Sequence, residues 1–129
     1  MPVLELFHGA DAQKLLFNIS RQGLTAGSDG KLYFAQYQWA NCLVHGADSQ
    51  TGESYVVKVR INIPAPPVAQ IDRIPRAGNP DALIVTTAPQ VILPCQFLEM
   101  YVRRGTVGEF ETMTIPGPGI EAYLISCFG

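Results

Sequence analysis

Two short segments of the sequence place a chemically useful side chain where a predicted strand runs into a predicted helix. The first segment ends with His8 and Gly9, and the second carries Tyr33. Such junctions are held by rigid backbone on both sides, so they can present an imidazole and a phenol to one cleft. An imidazole next to an aromatic face suits a flat, polar ligand. The pattern therefore predicts a ligand site built from His8 and Tyr33.

Hydrophobic spacing predicts the elements that position these groups. Val3 to Phe7 is a short apolar run typical of a buried strand. Asp11 is a suitable N-cap for a helix over Asp11 to Gln22, because its carboxylate can accept from the free amides of the first turn. Lys31 to Ala35 predicts a second strand, and Gln36 to His45 a second helix. The apolar stripe of the first helix consists of Ala12, Leu15, Leu16 and Ile19.

Strands dominate the remainder of the chain. Ser54 to Ile63 alternates apolar and polar residues and is the clearest strand in the sequence. The other predicted strands are Ala82 to Thr87, Gln90 to Arg103 with breaks at Pro89 and Pro94, and Ile120 to Phe128, separated by long loops at Ala65 to Pro80 and Gly105 to Gly119. Helices confined to the first part and strands to the rest indicate an α+β fold with a mainly antiparallel sheet.

Length and composition set the class of protein. A chain of 129 residues predicts one domain over 1–129, and 47% hydrophobic residues with 16% charged residues are typical of a folded globule. The net charge of -2 argues against a polyanion binder, so a nucleic-acid partner is not expected. No apolar run approaches the ~18 residues of a membrane helix, and the N-terminus lacks signal-peptide order.

The cysteines carry no metal or disulfide pattern. Their odd number and irregular spacing, at Cys42, Cys95 and Cys127, predict buried, reduced side chains. No metal site is predicted. Cys42 and His45 lie three residues apart on the predicted second helix, and a nucleophilic pair is the disfavoured interpretation because such pairs come from separate elements.

The motifs around the two junctions resemble a known family. The runs Leu6-Phe7-His8-Gly9-Ala10 and Lys31-Leu32-Tyr33-Phe34-Ala35, with a helix ending at Gly23-Leu24 between them, are similar to the NAD-binding half of ADP-ribosyltransferases. The likeness is closest to the His-Tyr-Glu branch, which holds diphtheria-type toxins and poly(ADP-ribose) polymerases. The run Ile84 to Val91 resembles the polymerase strand that carries the catalytic Glu and its continuation, and Gly78-Asn79-Pro80 resembles the rifampin-modifying members.

The resemblance covers about residues 4 to 103 and implies both a fold and an activity. The implied fold is α+β, an ADP-ribosyltransferase-like split antiparallel β-sheet core with two short helices near the N-terminus. The implied activity is that of a mono-ADP-ribosyltransferase, which binds NAD as its substrate, cleaves the nicotinamide–ribose bond and transfers ADP-ribose to an acceptor. The acceptor is a protein or another molecule that the sequence does not identify.

The resemblance also implies the roles of individual residues. Gly9 supplies backbone hydrogen bonds to the nicotinamide carboxamide, Tyr33 stacks on the ring, and His8 hydrogen-bonds a ribose hydroxyl of the adenosine part. Phe34 and Tyr37 complete the expected NAD-contacting set, with packing as the alternative interpretation for both.

The third catalytic position departs from the family pattern. Alignment of Ile84 and Val85 with the family strand puts Ala82 where the catalytic Glu should stand. Asp81, one position earlier, is the expected catalytic carboxylate, and Asp72 in the long loop is the rival. Without a Glu, the resemblance implies single transfer, NAD hydrolysis or an inactive relative.

The resemblance further implies a biological setting. We expect a toxin catalytic domain delivered from a larger secreted protein, acting in the cytoplasm of a target cell and silenced by an immunity protein. Four alternatives stay open: an NAD glycohydrolase, a non-catalytic binding module, an ordinary structural domain, and a tRNA 2′-phosphotransferase-like enzyme. The last of these ranks low because its candidate basic residues are scattered, at Arg21, Arg60, Arg73 and Arg76.

Overall fold

The computed structural model describes residues 3–73, 81–106 and 109–128, with the backbone alone at positions 41, 72, 73, 105, 106, 109 and 110. The strands in these ranges are β1 (Val3–Gly9), β2 (Gly23–Thr25), β3 (Lys31–Ala35), β4 (Ala47–Asp48), β5 (Glu53–Asn62), β6 (Gln70–Arg73), β7 (Ala82–Thr86), β8 (Ile92–Thr106) and β9 (Glu109–Pro116). The helices are α1 (Ala12–Ser20) and α2 (Gly117–Ser126), with a 3-10 helix at Trp39–Cys42.

The described strands form one antiparallel sheet in the order β2-β8-β5-β1-β3-β7-β6, with β4 beside β5 and β9 beside β8. The central strand β1 pairs with β5 along its whole length, from Val3 opposite Asn62 to Gly9 opposite Val56. On its other edge β1 is in register with β3 at one position, Phe7 opposite Ala35. The two strands therefore separate toward Gly9, where α1 follows.

The main core lies on one face of this sheet, and a smaller buried cluster of Ala35, Cys42 and Val56 lies apart from it. The apolar face predicted for β5 is confirmed, because Tyr55, Val57, Val59, Ile61 and Ile63 are all fully buried. Both helices pack on that face, α1 through Ala12 and Leu15 and α2 through Ile120 and Leu124. The predicted N-cap is also confirmed, since the Asp11 side chain accepts from the Lys14 amide.

The predicted fold class is wrong. The chain is mostly antiparallel β-sheet, and its two helices lie near the N-terminus and at the C-terminus. An α+β core with an ADP-ribosyltransferase-like split sheet and two short N-terminal helices is not what the structure shows. The prediction failed because two segments, described next, adopt conformations that their local patterns did not reveal.

The predicted helix from Gln36 to His45 is wrong. This segment contains only the 3-10 helix Trp39–Cys42, flanked by turns and bends. The backbone amides of residues 36–38 donate to the Asp81 carboxylate, which lies 43 to 45 positions later in the sequence. These hydrogen bonds hold the start of the segment in a non-helical conformation. A side chain distant in sequence outweighs the local helical preference here.

The predicted strand from Ile120 to Phe128 is also wrong, because Gly117–Ser126 is the helix α2. Ile120 and Leu124, four positions apart, are its buried residues, which is helical spacing. A proline in its first turn suits a helix start, where the missing amide has no partner to lose. The predicted loop before it contains the strand β9, which forms a hairpin with β8.

Two smaller differences concern prolines and the long central loop. Pro94 does not break β8, because it lies in register opposite Gly23 of the short strand β2. Gln70–Arg73, predicted as loop, is the edge strand β6 paired with β7. Residues 74–80, including the Gly78-Asn79-Pro80 motif and Arg76, lie outside the described residues.

The placement of α2 predicts unequal effects of two neighbouring truncations. Leu124→Ala removes a fully buried side chain, so the free energy of unfolding should fall by about 2–5 kcal/mol. Ile125→Ala is the matched control, because Ile125 is exposed on the same helix and should change that free energy by less than about 1 kcal/mol. Urea unfolding followed by circular dichroism measures both, and equal losses would contradict the helix assignment.

Candidate functional site

The cavity at the separation of β1 and β3 has a volume of about 650 Å³. Its walls are the end of β1, one face of α1, the loop after β2, the first part of β3 and the side chain of His45. Its lining includes His8, Gly9, Asp11, Lys14, Phe17, Asn18, Asp29, Lys31, Tyr33 and His45. The cavity therefore contains the three residues that the two junction motifs singled out, His8, Gly9 and Tyr33.

His8 is held in one tautomer by the neighbouring strand. Its Nδ1 lies 2.9 Å from the backbone carbonyl oxygen of Tyr33, so Nδ1 carries the proton and donates. Burial lowers the pKa of His8 below its ordinary value, and the nearby charges of His45 and Lys14 lower it further, against the opposing effect of the Tyr33 carbonyl. The neutral ring therefore presents the lone pair of Nε2, which can accept a hydrogen bond from a ligand hydroxyl.

Tyr33 does not present its phenol to the His8 imidazole. The adjacent residue Phe34 packs near His8, with ring centroids 5.4 Å apart, and alternation turns Tyr33 away from it. The Tyr33 ring instead lies parallel to the His45 ring, at a centroid distance of 6.4 Å and an interplanar angle of 9°. Tyr33 is 44% exposed, so its aromatic face remains open to a ligand.

His45 is one of the lining residues that the sequence interpretation missed as a ligand contact. A flat ring inserted between two parallel rings needs about 7 Å, because each carbon–carbon contact is about 3.5–4.0 Å. The gap between the Tyr33 and His45 ring planes is at most their centroid distance of 6.4 Å, so the two rings have to move apart to admit a third ring, and His45 is exposed. The only local signal was Gly46, which marks the turn that brings His45 back toward β3.

Gly9 lacks a side chain for a packing reason. A Cβ at this position would collide with the Cys42 carbonyl oxygen and lie 2.9 Å from the Gly46 amide nitrogen. Gly46 is packed equally closely, because a Cβ there would collide with the Tyr55 carbonyl oxygen. The glycines let the 3-10 segment pack directly on β1 and β5, and this packing positions His45 at the cavity.

Asp81, the expected catalytic carboxylate, does not line the cavity. It is 6% exposed, and its Oδ1 accepts from the Gln36 and Tyr37 amides at 2.8 and 2.5 Å while Oδ2 accepts from the Gln38 amide at 3.2 Å. A carboxylate held by several backbone amides acts as a cap for that segment. The rival Asp72 has its backbone in β6, opposite Ile84.

The remaining candidates are divided between core and surface. Phe34 is buried in the main core, and Tyr37 is 72% exposed; neither lines the cavity. The Cys42 thiol donates to the Phe7 carbonyl oxygen, and burial raises its pKa to about 11, so it is a poor nucleophile at neutral pH.

The lining carries both signs of charge. Asp11 and Asp29 are its carboxylates, and each accepts a backbone amide, from Lys14 at 2.8 Å and from Lys31 at 3.0 Å. The lysine side chains of the same two residues also line the cavity.

Within the described part of the chain, no group of three or more His, Cys, Asp or Glu side chains could hold a metal ion. Nor does any described helix have the length and apolar character needed to cross a membrane.

Comparison with known proteins assigns no family. No protein-family model, curated protein or solved structure matches this chain.

The buried position of Asp81 predicts a structural role. Asp81→Ala leaves the amides of residues 36–38 without their carboxylate acceptor, so the free energy of unfolding should fall by about 2–3 kcal/mol. Asp81→Asn is the matched control, because it keeps one acceptor oxygen in place and should lose less. Chemical denaturation of both variants checks the order. An alanine variant as stable as the wild type would show that the cap contributes nothing.

The lowered pKa of His8 predicts a pH-dependent stability. In the unfolded chain His8 titrates near its ordinary value of 6.5, whereas the folded state resists protonation down to a lower pH. The stabilisation from the neutral ring is thus complete above pH 6.5 and is lost as the pH falls from there through the folded-state pKa. His8→Asn should remove this component, whereas His45→Asn, the variant of the other histidine, should retain it. Unfolding free energies measured between about pH 8 and pH 5 test the difference.

Proposed function

We propose that this chain is a mono-ADP-ribosyltransferase that binds NAD in the cavity between β1 and β3. One observation carries the proposal: His8, Gly9 and Tyr33, which come from two separate strands, line a single cavity of about 650 Å³. That volume is within the roughly 300–1,000 Å³ of small-molecule sites. A neutral imidazole and an exposed phenol ring in the same cavity suit a ligand that combines hydroxyl groups with a flat ring.

Nicotinamide binds at the Tyr33 end of the cavity in this proposal. Its ring stacks on Tyr33 and lies between that side chain and His45, whose ring is already parallel to the Tyr33 ring. The carboxamide approaches the backbone of Gly9. The Nε2 lone pair of His8 accepts from a ribose hydroxyl, which is the role that the neutral tautomer permits.

The chemical step requires a negative charge near the nicotinamide ribose. Breaking the bond between that sugar and the nicotinamide nitrogen builds positive charge on the sugar, and a carboxylate stabilises it. Asp81 lies away from the cavity, so we assign this role to Asp11, which lines the cavity two positions after Gly9. The leaving group is neutral nicotinamide, and the acceptor supplies the nucleophile that forms the new bond to the sugar.

One observation favours a second candidate, an NAD-binding module without turnover. The carboxylate that the family pattern places nearest the catalytic position, that of Asp81, is taken up by backbone amides. A chain that had kept the ring and ribose contacts without a catalytic acid would bind NAD and leave it intact.

Calorimetric titration with NAD and an assay for nicotinamide release separate these candidates. The wild type should bind NAD, and Tyr33→Ala should weaken binding about tenfold because it removes the stacking face. Tyr37→Ala is the matched control, since Tyr37 is exposed and lies outside the lining, and it should bind like the wild type.

Release of nicotinamide by the wild type, abolished in Asp11→Asn, would support cleavage of the nicotinamide–ribose bond with Asp11 as the stabilising carboxylate. NAD binding without release would favour the binding module. Absence of NAD binding by the wild type would refute both candidates. Mass spectrometry of modified acceptors then identifies the gain of one ADP-ribose unit.

A further inference from the structure

The cavity continues along α1 to a second aromatic side chain. Phe17 lines the cavity and is 45% exposed. The guanidinium carbon of Arg21, one turn later, lies 3.9 Å from the centre of the Phe17 ring, whereas Arg21 is not part of the lining. Arg21 thus covers the ring from outside the cavity and holds it in place. The ring is positioned as a stacking platform for a ligand.

Asn18 adds a directed hydrogen-bond donor next to this ring. It lines the cavity and is only 6% exposed. Its Oδ1 accepts from the amide and the hydroxyl of Thr25, at 3.4 and 3.2 Å, which fixes the orientation of the carboxamide. Among the residues described, its Nδ2 has no hydrogen-bond partner and is not sealed from solvent. A buried carboxamide whose NH2 group is free to donate into a cavity is suited to a ring nitrogen of a ligand.

The position of this pair relative to the Tyr33 end suits a ligand with two rings. Phe17 is six positions after Asp11, and a helix rises 1.5 Å per residue, so these two lining residues are about 9 Å apart along α1. Lys14 lies between them on α1, and Lys31 lines the opposite wall on β3. Two flat rings joined by an anionic linker match this order of aromatic, cationic and aromatic groups.

We infer that Phe17 and Asn18 form an adenine subsite, so that the cavity takes a whole dinucleotide. The inference rests on the proposed function and deepens it by assigning the other half of NAD. Adenine stacks on the exposed face of Phe17, and one of its ring nitrogens accepts from Asn18 Nδ2. The lysines between the two subsites contact the pyrophosphate. His8 then meets the ribose that joins the adenine to the linker.

Calorimetric titration with adenosine 5′-monophosphate tests the subsite without nicotinamide. The wild type should bind this probe, and Phe17→Ala should weaken binding on the order of tenfold through loss of base stacking. Phe17→Trp, which keeps an aromatic face, should restore binding. Phe128→Ala is the matched control, because Phe128 is a similarly exposed aromatic residue outside the lining.

The donor is tested separately with Asn18→Asp. This variant keeps the oxygen that accepts from Thr25 and replaces the free donor with an acceptor, so binding of the probe should fall on the order of tenfold. Thermal unfolding of each variant shows whether the fold is retained. If Asn18→Asp does not fold, the Phe17 variants alone decide whether the adenine subsite exists.

Nicotinamide mononucleotide, which lacks adenine, separates the subsite from the proposed function. Suppose that nicotinamide mononucleotide binds, whereas adenosine monophosphate either does not bind or binds equally well to Phe17→Ala. This result would overturn the adenine subsite and leave the proposed function standing. Phe17-dependent binding of adenosine monophosphate without binding of nicotinamide mononucleotide would support the subsite and refute the NAD proposal. Tighter binding of NAD than of either half would support both.

Discussion

Burial of one face of β5 is the constraint on which the rest of the structure depends. Val57, Val59 and Ile61 are fully buried, and β5 pairs with β1 on one edge and with β8 on the other. Both helices cover the same face, so the apolar surface of one strand organises the sheet and its helical layer. Because β1 is held along its whole length by β5, its last residues, His8 and Gly9, have a defined position at the start of α1.

Polar and steric contacts then shape the cavity. The Asp81 carboxylate binds the amides after β3, and the glycines at positions 9 and 46 allow the following segment to pack against β1 and β5. These contacts place His45 parallel to Tyr33. The hydrogen bond from His8 Nδ1 to the Tyr33 carbonyl oxygen connects β1 and β3 where they separate, and it selects the tautomer of the imidazole. The chemistry of the cavity thus depends on groups that do not themselves line it.

Sequence patterns predicted the elements whose own residues decide their conformation. The alternation in β5, the stripe of α1 and the Asp11 cap all needed only local periodicity or an adjacent carboxylate. One error occurred where a distant group decided the outcome, and the other where a short apolar run fits two kinds of element. The amides of residues 36–38 found an acceptor in Asp81, and the short apolar segment after Pro116 could be buried either as a strand or as α2. Periodicity alone does not resolve so short an apolar run.

The sequence by itself determined that His8 and Gly9 would end one short strand and that Tyr33 would lie in a second one, because alternation and capping are local. Only the tertiary structure decided how these residues meet. Strand register turned the Tyr33 ring away from His8 and left its carbonyl to bind the imidazole. Chain packing brought His45, Phe17 and Asn18 to the same cavity and kept Asp81 out of it. Contacts between residues far apart in sequence depend on the packed three-dimensional chain, and local residue patterns do not encode them.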